Sequence, residues 1–524
     1  MSPLAPGPEH ANAAPRTDGG SEAATSGIGS ASLAGRAGLW LGPLLGVASY
    51  LALSRLPTAP EIPAATLGDA GPATAAIAVW MAIWWLTEAI PIYATALLPL
   101  AAFPLTGVAN MRAAAAPYAH ELIFLFMGGF MLALAMQRTG LHRRFALQTL
   151  RLVGDRPTNM VGGFMAVAAI LSMWVSNTAT AVMMLPVAAS VIELAEERAP
   201  DSWTEQTRRN FGLALLLGVA YGASIGGVAT PIGTPPNLFL LSFLSSTSGI
   251  EVSFARWMAI GVPVVIVMLP ATWWLMVHRL FPIPATRLDG GREVISRDLQ
   301  ALGPISQAEA IVLVVFLAVC SLWLGKPLLA TLVIAGTTPF AGLDDAGIAM
   351  AGAIVLFCAP DGNGSRVLDW ETARALPWGI LILFGGGLSL ASAIGANGVD
   401  DWIGSQSGVL AGLPAALVVM GIVAGMVFLT ELTSNTASAA ALIPILAALA
   451  PGLGLSPIAL SVPAALAASF AFMLPVATPP NAVVFGSGRI PLREMIRAGL
   501  WLNLIGIAVI SALTFAVVLP VLAD

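Results

Sequence analysis

The chain has 524 residues, of which 57% are hydrophobic and 10% are charged, and its formal net charge is −5. Ordinary soluble domains carry about 25% charged residues, so this composition excludes a water-soluble surface. The arginines lie in loops and not on one face, which gives no support to a nucleic-acid-binding protein. Cys320 and Cys358 both lie within apolar stretches, so the sequence predicts neither a disulfide framework nor a metal site.

The N-terminal region precedes the first apolar stretch. Residues 1–37 are rich in Ala, Gly, Ser and Pro without apolar periodicity, which is typical of a disordered tail. The apolar stretch 38–53 follows Arg36 as the core of a signal peptide would, but no convincing small-residue cleavage site follows it. We therefore expect a retained helix there.

Apolar stretches of roughly 17 to 25 residues, the length that crosses a bilayer as a helix, recur along the chain. Examples are 72–90, 120–137, 306–324 and 498–520. The sequence therefore predicts an all-α polytopic membrane protein with membrane lipid as a partner. Segment 327–343 is an exception. If this segment crossed the membrane fully, the later loops would lie on the side opposite to the one that their charges indicate. We therefore expect a short or re-entrant piece before a helix at 344–360.

The two halves of the chain, 38–280 and 306–524, repeat the same motifs in the same order on either side of a linker at 281–305. Four matched pairs, each 258 residues apart, are Phe126 and Phe384, Gly140 and Gly398, Asn177 and Asn435, and Pro186 and Pro444. Gly233–Asn237 pairs with Ala477–Asn481 at an offset of 244 residues. Such internal repeats are common in transporter folds.

Loop charges indicate how the two halves are oriented, because Arg and Lys accumulate on the cytoplasmic side of a membrane. Residues 138–156 hold five Arg and one acidic residue, whereas the equivalent residues 396–414 hold two Asp and no base. The repeat is therefore predicted to have inverted topology. The same rule predicts a cytoplasmic N-terminus and a cytoplasmic linker at 281–305. We expect the protein in the cell's inner (plasma) membrane.

An apolar run at 158–196 is interrupted by Ser176, Asn177 and Thr178 and is flanked by Arg at both ends. Basic flanks on both sides predict a re-entrant hairpin that enters the membrane and returns to the same face. Residues 409–450 repeat the arrangement from the opposite side. Non-helical backbone at this depth is tolerated where it is buried in protein or lines a watery cavity.

Two further apolar runs, 211–244 and 459–486, are interrupted by Thr-Pro-Pro-Asn. Proline lacks an N–H and clashes with the preceding turn, so two in succession are expected to unwind the helix and free carbonyl oxygens for a hard cation. Half-helix N-termini suit carboxylate or sulfate. A single such residue often serves only helix packing, but the pairing of the motifs at a fixed offset favours a binding site.

The interrupted segments contain no Lys or Arg, so co-bound sodium is the natural partner that would neutralise an anion. Glu431, just before the second hairpin tip, is an ionisable group in an apolar setting, which favours a functional role. A structural anchor held by hydroxyl or N–H groups is an equally good interpretation of Glu431. Glu88, at a helix end before Pro91, is interpreted as structural.

The two Ser-Asn-Thr motifs, the two Thr-Pro-Pro-Asn segments, the run Thr430–Thr436 and the segment Trp84–Pro91 resemble the divalent anion sodium symporter family. That family includes citrate, dicarboxylate and sulfate carriers, and the resemblance extends from about residue 38 to the C-terminus. It implies about eleven transmembrane helices and two re-entrant hairpins in an inverted repeat. It further implies a homodimer and an elevator-type movement of a transport part against a scaffold.

The resemblance also implies which residues bind the ions. One sodium site would use Ser172, Ser176, Asn177 and the backbone of Gly233, and the other would use Thr430, Thr433, Asn435 and the backbone of Ala477. The substrate would meet Asn177, Thr178, Thr234 and Pro235 from one half, and Asn435, Thr436, Thr478 and Pro479 from the other. Some relatives carry a small apolar residue at the position of Thr433. This difference has no effect on sodium binding if the ligand is the backbone carbonyl of residue 433.

The expected function is coupling of sodium influx to the uptake of a divalent anion, with a C4-dicarboxylate preferred over sulfate or citrate. A sodium-independent dicarboxylate or anion exchanger is the alternative within transport. An intramembrane hydrolase would need a base to activate its nucleophile, and the repeated apolar motifs contain no His or Lys. An ion channel would not require two closed hairpin tips that face opposite sides.

Overall fold

The computed structural model describes residues 33–55, 67–200, 202–284, 288, 290–334, 336–406 and 412–522. These ranges form no β-strand, and their extended pairing is limited to two isolated bridges. In chain order the helices are α1 Leu33–Leu53, α2 Gly71–Thr87, α3 Ile92–Thr95, α4 Leu98–Thr106, α5 Met111–Ala115, α6 Glu121–Thr139, α7 Leu141–Arg151, α8 Pro157–Ser172, α9 Asn177–Arg198, α10 Glu205–Gly227, α11 Pro235–Ser248, α12 Phe254–Leu275, α13 Gly291–Ala301, α14 Gln307–Leu329, α15 Asp345–Cys358, α16 Trp370–Ala373, α17 Trp378–Ala396, α18 Val399–Ser405, α19 Ala415–Thr430, α20 Asn435–Gly452, α21 Pro457–Ala468, α22 Pro479–Gly486, α23 Leu492–Leu513 and α24 Leu519–Leu522.

Nine helices in the described ranges are long and apolar enough to cross a membrane, and six more apolar helices have 10–17 residues. The all-α class and the polytopic membrane character predicted from composition are therefore confirmed. Length and composition do not decide which of the shorter helices cross. The count of eleven crossings accordingly stays a prediction.

The first helix begins earlier than the sequence predicts. α1 starts at Leu33, so residues 33–37 of the predicted tail are helical, while residues 1–32 lie outside the described part of the chain. The buried residues of α1 are all glycines, Gly35, Gly38, Gly42 and Gly46. Because the buried face of α1 consists of glycine, the start of this helix shows no apolar periodicity in the sequence. The predicted end of the tail at residue 37 was therefore too late.

The described residues of segment 327–343 form no helix of their own beyond the end of α14, and the re-entrant course expected for the segment stays a prediction. α14 continues through Pro327 to Leu329, and residues 330–343 form turns before α15, with residue 335 outside the described ranges. The linker 281–305 contains a helix of its own, α13, although residues 285–287 and 289 are not described.

The core of the molecule lies along the two interrupted helices. α10 is buried at every residue from Leu213 to Gly227, and α21 is buried from Ile458 to Ala468. A helix that is apolar on all sides belongs in an interior. α10 packs directly on α8, where an added Cβ at Gly226 would lie 2.2 Å from the carbonyl oxygen of Ala169. Small residues thus bring the two backbones into contact, as in many membrane bundles.

Each predicted hairpin consists of two helices joined by a short tip. In the first, α8 and α9 are joined by residues 173–176, and in the second, α19 and α20 are joined by residues 431–434. The hairpins therefore span 157–198 and 415–452, close to the predicted 158–196 and 409–450. Residues 409–411 lie outside the described ranges.

Each interrupted helix breaks just before its proline pair. α10 ends at Gly227 and α11 begins at Pro235, while α21 ends at Ala468 and α22 begins at Pro479. The prolines therefore begin the second half-helix and do not lie within the unwound segment, which corrects the sequence interpretation. Proline is favoured there because the first-turn N–H has no intrahelical partner to lose.

A buried ion pair ties the two halves of the chain together. The Arg144 guanidinium on α7 contacts both carboxylate oxygens of Glu309 on α14, at 2.7 and 3.1 Å. It also donates hydrogen bonds to the carbonyl oxygens of Leu302, Gly303 and Pro304. Such a pair satisfies most of the guanidinium donors and fixes α7 against the start of the second repeat.

Candidate functional site

The two hairpin tips and the two helix breaks line one cavity of about 870 Å³. Sequence-predicted residues in its lining are Ser176, Asn177, Thr178, Gly233, Thr234, Pro235, Thr433, Asn435, Thr436, Ala477, Thr478 and Pro479. Two predicted residues, Ser172 and Thr430, are fully buried behind the wall. The structure thus brings together elements that are up to 303 positions apart, from Ser176 to Pro479.

Four helix N-termini meet at this cavity. α9 begins at Asn177, α11 at Pro235, α20 at Asn435 and α22 at Pro479, and all four residues line the cavity wall. The positive ends of the four helix dipoles favour an anion at such a place, and the first residues of α9 and α20 also offer backbone N–H groups, which the proline pairs at the start of α11 and α22 lack. Among the described residues in the lining none is Lys, Arg or His, and the one acidic residue is Glu88.

Oxygen atoms cluster at the first hairpin tip. The hydroxyl of Ser172 donates a hydrogen bond to Asn177 Oδ1, across the turn that joins α8 to α9. A Cβ added at Gly227 would lie 2.6 Å from Asn177 Oδ1 and 3.2 Å from the carbonyl oxygen of Gly233, so only glycine fits at position 227. Hydroxyl, amide and carbonyl oxygens are the ligands that hard cations take.

The second tip repeats this geometry. Thr430 Oγ1 lies 2.6 Å from Asn435 Oδ1 and 3.0 Å from the carbonyl oxygen of Ala468. The hydroxyl of Thr433 lies 2.9 Å from the carbonyl oxygen of Leu429 and 2.6 Å from Ser438 Oγ. Because the Thr433 hydroxyl is engaged in these bonds, the backbone carbonyl of Thr433 is the better candidate for a cation ligand.

Sequence analysis missed the role of the last residue of each Thr-Pro-Pro-Asn segment. Asn237 Nδ2 donates to carbonyl oxygens at the end of α10 and within the first break, the nearest being Thr230 at 2.9 Å. Asn481 Nδ2 does the same at the second break, reaching Ala471 at 3.2 Å and Leu474 at 3.0 Å. Each asparagine therefore ties the start of its second half-helix to the unwound segment that precedes it. The repeated motif was the available signal.

Glu431 is an anchor for the second break. Its carboxylate accepts hydrogen bonds from the backbone N–H groups of Phe472, Met473 and Leu474, at 2.7, 2.9 and 3.0 Å. Asn503 Nδ2 on α23 adds a fourth at 2.8 Å. The structural alternative considered for Glu431 therefore accounts for all four contacts.

The two breaks touch each other inside the core. Thr234 Oγ1 lies 3.3 Å from Ser469 Oγ, and the Tyr221 hydroxyl donates a 3.0 Å hydrogen bond to the carbonyl oxygen of Phe472. Both contacts are buried and join the first repeat to the second. The two candidate ion sites consequently belong to one packed unit.

Glu88 occupies a different part of the cavity wall from the tips and breaks. It caps the C-terminal end of α2 with φ 48°, the only positive φ of a non-glycine residue in the described chain. Its backbone N–H donates to the carbonyl oxygen of Trp84, so the helix-end role expected from sequence is present.

Comparison with known proteins gives the family. Residues 46–522 match the family described as the sodium:sulfate symporter transmembrane region. A sodium-dependent dicarboxylate transporter, SdcS, of Staphylococcus saprophyticus is 42% identical over 488 residues, covering 93% of this chain and 92% of the relative. SdcS of Staphylococcus aureus strain USA300 is 40% identical over 449 residues, 85% of each chain.

Two solved structures share the fold. The YdaH transporter of Alcanivorax borkumensis has a TM-score of 0.53 at 17% identity, over 76% of this chain and 85% of that one. MtrF of Neisseria gonorrhoeae has a TM-score of 0.55 at 14% identity, over 80% of this chain and 85% of that one. With the family match over residues 46–522, these findings show that the chain is a membrane transporter and belongs to the sodium:sulfate symporter family.

Proposed function

We propose that the chain couples sodium influx to the uptake of a divalent anion, a C4-dicarboxylate. The observation that carries this proposal is the single cavity lined by four helix N-termini and two oxygen-rich hairpin tips without a basic side chain. A dianion there has dipoles and N–H groups to bind it but no counter-ion from the described residues. Sodium ions supply the missing positive charge. The relatives that are named sodium-dependent dicarboxylate transporters support the same substrate class.

The proposed ligands are those that the family resemblance implies. One sodium ion is bound by Ser172, Ser176, Asn177 and Gly233, and a second by Thr430, Thr433, Asn435 and Ala477. The dianion is bound by Asn177, Thr178, Thr234 and Pro235 from one repeat and by Asn435, Thr436, Thr478 and Pro479 from the other. Sodium shapes each tip first, because the amide of Asn177 or Asn435 then has a fixed position when the anion arrives.

The proposed setting is a homodimer in the inner membrane with a cytoplasmic N-terminus, in contact with membrane lipid. The support for this orientation is the five Arg of residues 138–156. The two halves, 38–280 and 306–524, form the inverted repeat. The hairpins and broken helices move as one body in an elevator-type step, which the contact of Thr234 with Ser469 supports.

The test is uptake of labelled succinate into proteoliposomes, with an inward sodium gradient in one sample and potassium in its place in the other. Accumulation that requires sodium is the expected result. Transport that ignores sodium and is driven by internal dianion would replace symport with anion exchange. Sodium-driven uptake of sulfate or citrate without succinate uptake would overturn the C4-dicarboxylate assignment alone.

A further inference from the structure

A second groove, which shares no lining residue with the transport cavity, lies between the amphipathic helices α7 and α13. It has a volume of about 650 Å³ and is lined by Gln148, Arg151, Leu152, Arg292, Ser296 and Leu299. None of these residues belongs to a hairpin tip or a helix break. The groove therefore has no part in the transport site described above.

The two arginines of this groove have no counter-ion in the described chain. Arg138, Arg144, Arg198, Arg374, Arg489 and Arg497 form ion pairs in the described ranges, but Arg151 and Arg292 do not. The backbone around Arg292 is nevertheless fixed, because its N–H donates a 3.0 Å hydrogen bond to Asp155 Oδ1. The Asp155 carboxylate lies beside the backbone of Arg292 but forms no ion pair with either guanidinium, so both guanidinium groups remain free to bind an anion.

Exposed apolar side chains lie beside the arginines, which favours a position of this groove at a membrane surface. α7 buries Leu147 and Leu150 against the protein, yet Phe145 is 40% exposed and the neighbouring Leu152 is 81% exposed. Amphipathic helices that expose large apolar residues next to Arg lie in the interface between lipid headgroups and acyl chains. At that depth guanidinium groups meet lipid phosphates.

We propose that the groove between α7 and α13 binds the phosphate of an anionic membrane phospholipid, with Arg151 and Arg292 as its ligands. Gln148 and Ser296 are within the same lining and offer further donors to the phosphate oxygens. Leu152 and Leu299 face the first part of the acyl chains. Guanidinium pairs phosphate oxygens in a bidentate manner, so this contact is more selective than the general attraction of a basic surface.

The chain offers a matched control for testing this site. Arg143 on α7 and Arg297 on α13 are exposed, have no ion pair in the described ranges and lie outside the groove. The double variant Arg151→Gln/Arg292→Gln is therefore compared with Arg143→Gln/Arg297→Gln, which removes the same charge from the same two helices. Equal melting temperatures of both variants in phosphatidylcholine alone establish that neither fold is disturbed.

The measurement is thermal unfolding of the full chain in phosphatidylcholine, with phosphatidylglycerol or inorganic phosphate added in separate titrations. We expect phosphatidylglycerol to stabilise the wild type and the control pair, with affinity roughly tenfold weaker in Arg151→Gln/Arg292→Gln. Equal stabilisation of both double variants would overturn the proposal. Inorganic phosphate could instead compete with phosphatidylglycerol and stabilise the protein to the same extent. That result would identify the ligand as a free anion and would also overturn the proposal of a lipid site.

Discussion

The hydroxyl of Thr430 lies 2.6 Å from the amide oxygen of Asn435, across the tip that joins α19 to α20. The equivalent pair in the first repeat, Ser172 and Asn177, makes the same contact. Each hydroxyl is fully buried, whereas each asparagine lines the cavity. The asparagine that lines the cavity is therefore held in place from behind by a hydroxyl five positions earlier.

Asn177→Ala and Asn435→Ala are each expected to abolish sodium-driven succinate uptake while membrane insertion is retained. Each substitution removes an amide that the proposed sodium ion and the proposed dianion share. Asn363→Ala, in an exposed loop, is the control and should transport as the wild type does. Wild-type uptake in both cavity variants would exclude the proposed site.

Ser172→Ala and Thr430→Val test the contribution of the buried hydroxyls. Each substitution removes a proposed sodium ligand together with a hydrogen bond worth about 1 kcal/mol, so the sodium concentration for half-maximal uptake should rise roughly fivefold or more. The KM for succinate at saturating sodium should change little. Ser190→Ala is the control on the same hairpin, because its hydroxyl bonds only to its own helix at Pro186. A rise in succinate KM without any change in sodium dependence would contradict this assignment.

Asn237→Ala and Asn481→Ala should both weaken sodium binding and lower the melting temperature. Either substitution leaves carbonyl groups at the break without their donor, at a cost of about 1–3 kcal/mol. Asn237→Asp keeps the shape but turns an oxygen toward those carbonyls, so it should be no better than alanine. Two measurements on each variant, the sodium concentration for half-maximal uptake and the melting temperature, separate a loss of sodium binding from a loss of stability alone. Wild-type behaviour of the aspartate variant would be incompatible with the bridging role.

Gly226→Ala should destabilise the transporter by about 1–3 kcal/mol, because the new Cβ has no room between α10 and α8. It would lie 2.2 Å from the carbonyl oxygen of Ala169. At Gly212 the nearest atom would be 3.6 Å away, so Gly212→Ala on the same helix is the control. Thermal unfolding in detergent measures both, and equal melting temperatures would show that α10 and α8 are farther apart than described.

Arg144→Met and Glu309→Gln should each lower stability by about 3–5 kcal/mol, because each leaves the other charge buried without its partner. The double variant should be less destabilised than the sum of the two single variants. Thermal unfolding of the four proteins in a double-mutant cycle measures this coupling. Strictly additive losses would mean that the two side chains do not interact.

Much of the candidate site was predictable because its motifs occur in both halves of the chain. A match of Asn177 with Asn435 at a constant offset identifies both tips without any knowledge of the fold. The helix ends that the structure shows on either side of each tip lie near the bounds expected from the sequence, and the re-entrant course of the two hairpins stays a prediction. The partners of Asn237 and Glu431 were not predictable, because they depend on which carbonyl and N–H groups face the side chain; for Glu431 the sequence left anchoring and function as two open interpretations. Phe472, for example, is 41 positions from Glu431.

The sequence by itself determined that this is an all-helical membrane protein with two related halves. Composition, the length of the apolar stretches and the repeated motifs can all be read directly from the residues. The tertiary structure alone decided that four helix N-termini share one cavity, that Arg144 meets Glu309 over 165 positions, and that Arg151 lies in one groove with Arg292. The physical reason is that an electrostatic or hydrogen-bonded contact depends on distances of a few ångströms in space, which separation along a chain does not fix.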